Sequence, residues 1–118
     1  MDARQAVGAH GERVVARALE DQGWEVLARN WRCARGEVDI IAADGDTAVA
    51  VEVKTRRSAA CGSGLEAITP TKVARLRMLV GRWLAAQDRV FAAVRVDAVA
   101  VTLPSSGPAE IDHVRGVE

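Results

Sequence analysis

Residues 36–56, GEVDIIAADGDTAVAVEVKTR, decide the fold of this chain. Two apolar runs, residues 36–43 and 47–54, are separated by the segment Asp-Gly-Asp. An Asp-Gly pair between two apolar runs is a strong signal for a β-hairpin. The second run is apolar on both faces until Glu52, which is typical of a central strand. The stretch therefore predicts two antiparallel strands, the second of which lies inside a sheet.

The sequence before the hairpin predicts a helix and an edge strand. Asp2 can cap a helix that runs to about residue 22, and Gly23 can end it. Residues 24–31 alternate loosely between apolar and polar side chains, which favours a strand at the edge of the sheet.

The sequence after the hairpin predicts one more helix and one more strand. Thr69 and Pro70 are typical of a helix start, and this helix should run to about residue 87. Residues 94–103 form a strongly apolar last strand. The order α-β-β-β-α-β indicates an α/β fold with one mixed central sheet flanked by helices. Residues 56–66 are expected to form a mobile loop, and residues 104–118 a peripheral tail with one short, unassigned element.

Length and composition indicate one domain, residues 1–118, with an aliphatic core. The chain has 118 residues, of which 49% are hydrophobic and only 3% aromatic. Its apolar runs are too short to span a bilayer, and its beginning lacks the apolar segment of a secretion signal. Cys33 and Cys61 do not make a disulfide framework. These features predict a cytoplasmic protein without a membrane partner.

The charge balance argues against a strongly basic nucleic-acid binder, because 16 basic residues offset 16 acidic ones. The basic residues are nevertheless segregated. Nine of them lie between residues 29 and 77, namely Arg29, Arg32, Arg35, Lys54, Arg56, Arg57, Lys72, Arg75 and Arg77.

The hairpin also carries a cluster of charged residues. Residues two apart in a strand share a face, so Glu52 and Lys54 lie on one face. A two-residue loop at residues 44–45 or 45–46, or a four-residue loop, places Asp39 on that same face. A loop at residues 45–46 puts Asp39 directly opposite Glu52, whereas a three-residue loop with a bulge would break this count. Burying such charges is costly unless they have partners or a metal ion.

This cluster matches the chemistry of a Mg²⁺ or Mn²⁺ site. Mg²⁺ prefers hard oxygen ligands, typically one or two carboxylates with water and substrate phosphate. Asp39 and Glu52 would supply the carboxylates, and the backbone carbonyl of Val53 a third oxygen. Lys54 beside the metal can assist the attacking water and offset charge in the transition state.

Outer residues extend the predicted site. Glu12, on the flank of the first helix, can support the metal shell. Lys72 begins an apolar stripe near a helix N-terminus, where it either snorkels or meets a phosphate. We assign Arg56 to phosphate as well. Glu37, two residues before Asp39, is a possible accessory carboxylate. For Glu12 and Glu37 a purely structural role is an equal alternative.

Several motifs together resemble the YraN-like family of uncharacterised bacterial proteins, and they cover nearly all of the chain except its tail. The motifs are Gly11-Glu12, GWEVL at 23–27 with Asn30 and Arg32, GEVDIIA at 36–42, VEVKTR at 51–56, AIT at 67–69 with Lys72, and RVDAVAV at 95–101.

The resemblance implies a compact member of the restriction-endonuclease-like PD-(D/E)xK superfamily, similar to archaeal Holliday-junction resolvases. It implies an αβββαβ core, in agreement with the order above. It also implies a metal site made by a glutamate of the first helix, an aspartate, a second glutamate and a lysine. In this sequence Glu12, Asp39, Glu52 and Lys54 match those positions.

Three hypotheses follow for function. The first is a Mg²⁺- or Mn²⁺-dependent nuclease that hydrolyses branched or single-stranded DNA in repair or recombination. The second is a non-catalytic nucleic-acid-binding module, and the third is an adaptor in which the charges only stabilise the fold. The cluster of Asp39, Glu52 and Lys54 favours the first, whereas the neutral charge favours the others. A resolvase cuts two strands, so a homodimer is also expected.

Overall fold

The computed structural model describes residues 2–57 and 68–117, and these residues form two helices and five strands. The α-β-β-β-α-β order expected from the sequence is confirmed, and one further strand follows it. The expected mobile loop falls mainly on residues 58–66, outside the described residues. The elements are α1 (Ala3–Asp21), β1 (Glu25–Cys33), β2 (Gly36–Asp44), β3 (Thr47–Arg56), α2 (Pro70–Ala85), β4 (Ala93–Thr102) and β5 (Glu110–Val114).

The strands form one mixed sheet in the order β1-β2-β3-β4-β5. Neighbouring strands are antiparallel except for β3 and β4, which are parallel. A parallel pair requires a crossover, and α2 lies in the connection between these two strands. As expected, β3 is central and β1 lies at an edge.

The two helices cover opposite faces of the sheet. Val49, Val51 and Val53 of β3 pack in a cluster with Val15 and Leu19 of α1. The alternate residues Ala48 and Ala50 pack instead with Val73, Leu76 and Leu79 of α2. Because successive strand residues point to opposite faces, β3 is buried on both sides, which explains its continuous apolar sequence. Neither helix of the described residues is long and apolar enough to cross a membrane.

Both helices begin at the residues that the sequence predicted. The Asp2 side chain accepts a hydrogen bond from the Gln5 N–H at 2.9 Å, and the Gln5 side chain accepts one from the Asp2 N–H at 3.0 Å, which forms a capping box. The Thr69 hydroxyl accepts a hydrogen bond from the Lys72 N–H at 3.1 Å. The hairpin loop is Gly45–Asp46, and Gly45 has a φ of 58°, which a tight hairpin turn requires and glycine tolerates.

The tail after β4 contains the edge strand β5, the element that the sequence left unassigned. A buried carboxylate holds this tail to β4. Asp97 is fully buried and accepts hydrogen bonds from Arg95 Nε at 2.8 Å and from the Gly116 N–H at 2.9 Å. Its other oxygen lies 2.9 Å from His113 Nε2 of β5. The His113 ring in turn packs edge-on against the buried Trp24, with 5.5 Å between centroids.

Gly11 sets the distance between α1 and the end of β3. A Cβ atom at Gly11 would lie only 2.8 Å from both Cβ and Cγ2 of Thr55, and closer still to Thr55 Oγ1. Real Cβ atoms essentially never approach other atoms this closely. Glycine is therefore required for α1 to pack against β3, and the adjacent Glu12 depends on that packing for its position.

We expect Gly11→Ala to lower the free energy of unfolding by roughly 1–3 kcal/mol, because α1 must move away from Thr55. Gly8→Ala is the matched control on the same helix, since a Cβ there meets no atom within 4 Å. This control should be neutral or stabilising by up to about 1 kcal/mol, because alanine has the higher helix propensity. Urea unfolding of both variants tests the expectation, and equal stabilities would contradict the close-packing argument.

Candidate active site

The site lies where β2 and β3 separate. Their register runs from Asp44↔Thr47 to Ile40↔Val51, one pair short of Asp39 and Glu52. The two-residue loop at Gly45–Asp46 is the case in which Asp39 was expected opposite Glu52. Beyond Ile40 the Asp39 side chain bridges the strands instead, because its Oδ2 accepts a hydrogen bond from the Val53 N–H at 2.8 Å. Asp39 is thus held directly beside the backbone of the Glu52–Val53 segment.

Glu52 points toward α2 and meets Lys72 there. The alternation of β3 places Glu52 and Lys54 on the face of Ala48 and Ala50, which α2 covers. Lys72 Nζ lies 3.0 Å from Glu52 Oε1, and the side chains are 33% and 10% exposed, respectively. Lys72, for which the sequence predicts either a snorkelling position or a contact with phosphate, thus places its ammonium against a predicted metal ligand.

Asp39 carries an unusual charge state. Burial raises the pKa of Asp39 to about 7, and the negative charge of Glu52 adds to this rise. The hydrogen bond from the Val53 N–H acts in the opposite direction, while Glu12 and Glu37 raise the pKa further. Burial and the neighbouring carboxylates therefore favour the protonated form of Asp39 up to about neutral pH.

A groove beside this cluster contains Glu12 and Glu37. It has a volume of about 530 Å³ and is lined by Gln5, Gly8, Ala9, Glu12, Asn30, Arg32 and Glu37. Burial raises the pKa of Glu12, the Asn30 side chain lowers it, and the charges of Glu37 and Glu52 raise it. Arg32 Nε lies 3.2 Å from Glu37 Oε2 at the exposed side of the groove. The charges of Glu12, Glu37 and Glu52 thus all act on Asp39.

Of the basic residues predicted at the site, Arg56 has a hydrogen-bond partner, whereas Lys54 has no ion-pair partner among the described residues. Arg56 Nε donates a hydrogen bond to Thr102 Oγ1 at 2.9 Å, which ties the ends of the parallel strands β3 and β4 together. Lys54 forms no ion pair with any residue in 2–57 or 68–117. Their roles toward phosphate and water stay predictions.

Asn30 and Arg32, two further residues of the motifs quoted above, line the same groove. Asn30 has a φ of 51°, in the left-handed region that Asn tolerates better than most residues. This conformation occurs inside β1, next to a groove with a titratable glutamate. The only sequence signal for a role of this pair was an asparagine with a basic residue two positions later in an edge strand.

The carboxylate oxygens of Asp39 and Glu52 are suitable ligands for a hard divalent cation. In the described part of the chain, no three His, Cys, Asp or Glu side chains are already arranged as a complete metal site. Mg²⁺ commonly takes only one or two carboxylates and completes its shell with water and substrate. Asp39 and Glu52 supply that number, and burial together with the negative charge of Glu52 raises the pKa of Asp39, so a bound cation would favour its ionised form.

Comparisons with known proteins place the chain in a family. Curated relatives include UPF0102 proteins from Kineococcus radiotolerans, 57% identical over 98% of this chain and 95% of the relative, and from Beutenbergia cavernae, 54% identical over 99% of both. A Holliday junction resolvase structure from Archaeoglobus fulgidus is similar at 17% identity and a TM-score of 0.43, covering 89% of this chain and 75% of that one. The model of uncharacterised protein family UPF0102 matches residues 11–101. The resemblance to the YraN-like family is therefore confirmed, and this chain belongs to UPF0102.

Proposed function

We propose that this protein is a divalent-metal-dependent nuclease that hydrolyses phosphodiester bonds in DNA. One observation carries the proposal. Asp39 and Glu52 converge where β2 and β3 separate, and burial together with the negative charge of Glu52 raises the pKa of Asp39 to about 7. Titratable groups with strongly shifted pKa values are concentrated at functional sites.

Each residue has a distinct part in this mechanism. Asp39 and Glu52 would hold Mg²⁺ or Mn²⁺, with the Val53 carbonyl as a further oxygen and Glu12 in support. The ion would supply Lewis acidity to the phosphate and to the attacking water. Lys54 orients that water and stabilises the developing negative charge. The P–O bond to the water forms as the P–O bond to the leaving sugar oxygen breaks, and the proton lost by the water passes through solvent to the leaving oxygen.

Substrate contacts come from basic residues around this cluster. Arg56 and Lys72 are the proposed phosphate contacts, and Glu37 is a possible accessory carboxylate. The proposed substrates are branched and single-stranded DNA. Flaps, four-way junctions and single strands represent these two classes in an assay. The homodimer expected for a resolvase is also part of the proposal. Sedimentation that shows only monomer across the micromolar range would remove it.

Cleavage assays test the proposal directly. Wild-type protein should cut at least one of these DNA substrates with Mg²⁺ or Mn²⁺ and none with a chelator. Lys54→Met should lose at least roughly 100-fold in rate, because it lacks the group that assists the water. Arg82→Met removes the same charge from the exposed last turn of α2 and should retain the rate. Absence of cleavage of all three substrates with both metals would contradict the nuclease proposal.

A non-catalytic nucleic-acid-binding module is the second candidate. The pairing of Glu52 with Lys72 favours it over the nuclease, because Lys72 already supplies positive charge to a predicted metal ligand. Fluorescence-detected DNA binding at several salt concentrations distinguishes it, since phosphate contacts make affinity fall steeply with salt. Salt-dependent binding without cleavage would make this candidate the leading one. If the protein neither binds nor cleaves DNA, the adaptor hypothesis remains.

A further inference from the structure

The surroundings of Glu52 distinguish it from the other carboxylates of the site. Its side chain is only 10% exposed, and a carboxylate buried to this extent is unstable without a partner. The partner is Lys72, whose Nζ lies 3.0 Å from Glu52 Oε1. Asp39, in contrast, receives one backbone hydrogen bond and no cation from the described residues. Positive charge is therefore concentrated at one of the two proposed metal ligands.

The position of Lys72 is set by the start of α2. The Thr69 hydroxyl accepts the Lys72 N–H, and Pro70 opens the helix, so Lys72 lies in the first turn. Its backbone is consequently fixed, while its long side chain, which is 33% exposed, can leave Glu52 without any change in the helix. The helix N-terminus adds partial positive charge near the same carboxylate.

An ammonium group and a divalent cation make the same demand on Glu52. Both need the lone pairs of its carboxylate oxygens, and like charges repel strongly where water is partly excluded. We propose that Lys72 is the resident counter-ion of Glu52, which a divalent metal ion must displace when it binds. The inference rests on the proposed function, since it takes Asp39 and Glu52 as the metal ligands. Before metal binds, Lys72 therefore acts through Glu52 and weakens metal binding, and it becomes available to phosphate only when the metal ion has displaced it.

Calorimetric titration of Mg²⁺ and Mn²⁺ into Lys72→Met tests this inference. The variant should bind metal about tenfold more tightly than wild type, because the competing cation is absent. Lys72→Arg keeps the charge and should stay within about threefold of wild type. Arg75→Met removes an exposed charge one turn further along α2 and controls for the general change in charge. It should not reproduce the tenfold effect.

Thermal unfolding gives a second readout that does not depend on activity. Without metal, Lys72→Met should have a lower Tm than wild type, because Glu52 is left buried without a partner. Saturating metal should then raise its Tm more than it raises that of wild type. Unchanged or weaker metal binding in Lys72→Met would overturn the inference. Absence of metal binding by wild type would instead overturn the proposed function, so the two failures are distinguishable.

Discussion

Replacing Asp97 with alanine is expected to lower the free energy of unfolding by roughly 3–5 kcal/mol, because it leaves buried charged and polar groups without their partner. Arg95 and His113 both contact this carboxylate, and so does the Gly116 N–H. Proteins of this size have total stabilities of about 5–15 kcal/mol, so the loss is a large fraction of the whole. The tail with β5 should detach first, since Asp97 is its polar anchor.

Urea unfolding measures this loss, and Asp112→Ala is the matched control. Asp112 also lies in the β4–β5 pair but is exposed and forms no ion pair with the described residues. We expect the control to change stability by less than about 0.5 kcal/mol. A variant Asp97→Ala as stable as Asp112→Ala would show that the network does not hold the tail.

The Asp97 network also predicts acid sensitivity. Burial alone would raise the pKa of Asp97, but hydrogen bonds from His113, Arg95 and Gly116 lower it to about 2. A depressed pKa in the folded state means that the unfolded state binds protons more readily. The contribution of Asp97 is therefore fully present above about pH 4 and is lost as the pH falls towards 2.

Replacing Asp39 with asparagine should have the opposite effect on stability. The variant should be more stable than wild type at pH 8 in the presence of a chelator, because it removes a charge that burial and Glu52 disfavour. Asparagine keeps an oxygen that can accept the Val53 N–H. The gain has an upper bound on the order of 4 kcal/mol, set by the rise of the pKa from 3.8 to about 7.

The pH dependence follows from the direction of this rise. Because the folded state of wild type binds the Asp39 proton more tightly than the unfolded state, wild-type stability should fall as the pH rises from about 4 to about 7. Above that range the penalty is constant. Asp39→Asn should show a much smaller fall, because only the raised pKa of Glu12 then contributes, whereas the exposed hairpin variant Asp46→Asn should keep it in full. Parallel Tm curves for wild type and Asp39→Asn across this range would contradict the charge state described for Asp39.

The strong local signals explain why the sequence was sufficient for most of the fold. The Asp-Gly turn, the Thr69–Pro70 helix start and the two-sided apolar character of β3 each have a short-range physical cause, and all three are found in the structure. The strand β5 was missed because its sequence, EIDHV, is short and mostly exposed. Its stability comes from Asp97, a contact that no local pattern encodes.

The site was predictable in part for similar reasons. Strand alternation was enough to predict that Asp39 and Glu52 converge. The Glu52–Lys72 ion pair was not predictable, because it depends on where α2 crosses the sheet and not on spacing along the chain. The same is true of Arg56, whose guanidinium contacts Thr102 of a neighbouring strand. The left-handed conformation of Asn30 was not predictable either, because asparagine tolerates this conformation but does not require it.

Under the proposed function, Asp39 and Glu52 together hold a divalent metal ion. Calorimetric titration of Mn²⁺ and Mg²⁺ into wild type and Asp39→Asn tests this at pH 8, where a pKa of about 7 leaves most of the Asp39 carboxyl ionised. We predict one saturable site in wild type and no detectable binding in Asp39→Asn, while Asp46→Asn binds as wild type does. Binding of equal affinity in wild type and Asp39→Asn, or no binding by wild type at millimolar metal, would contradict the account.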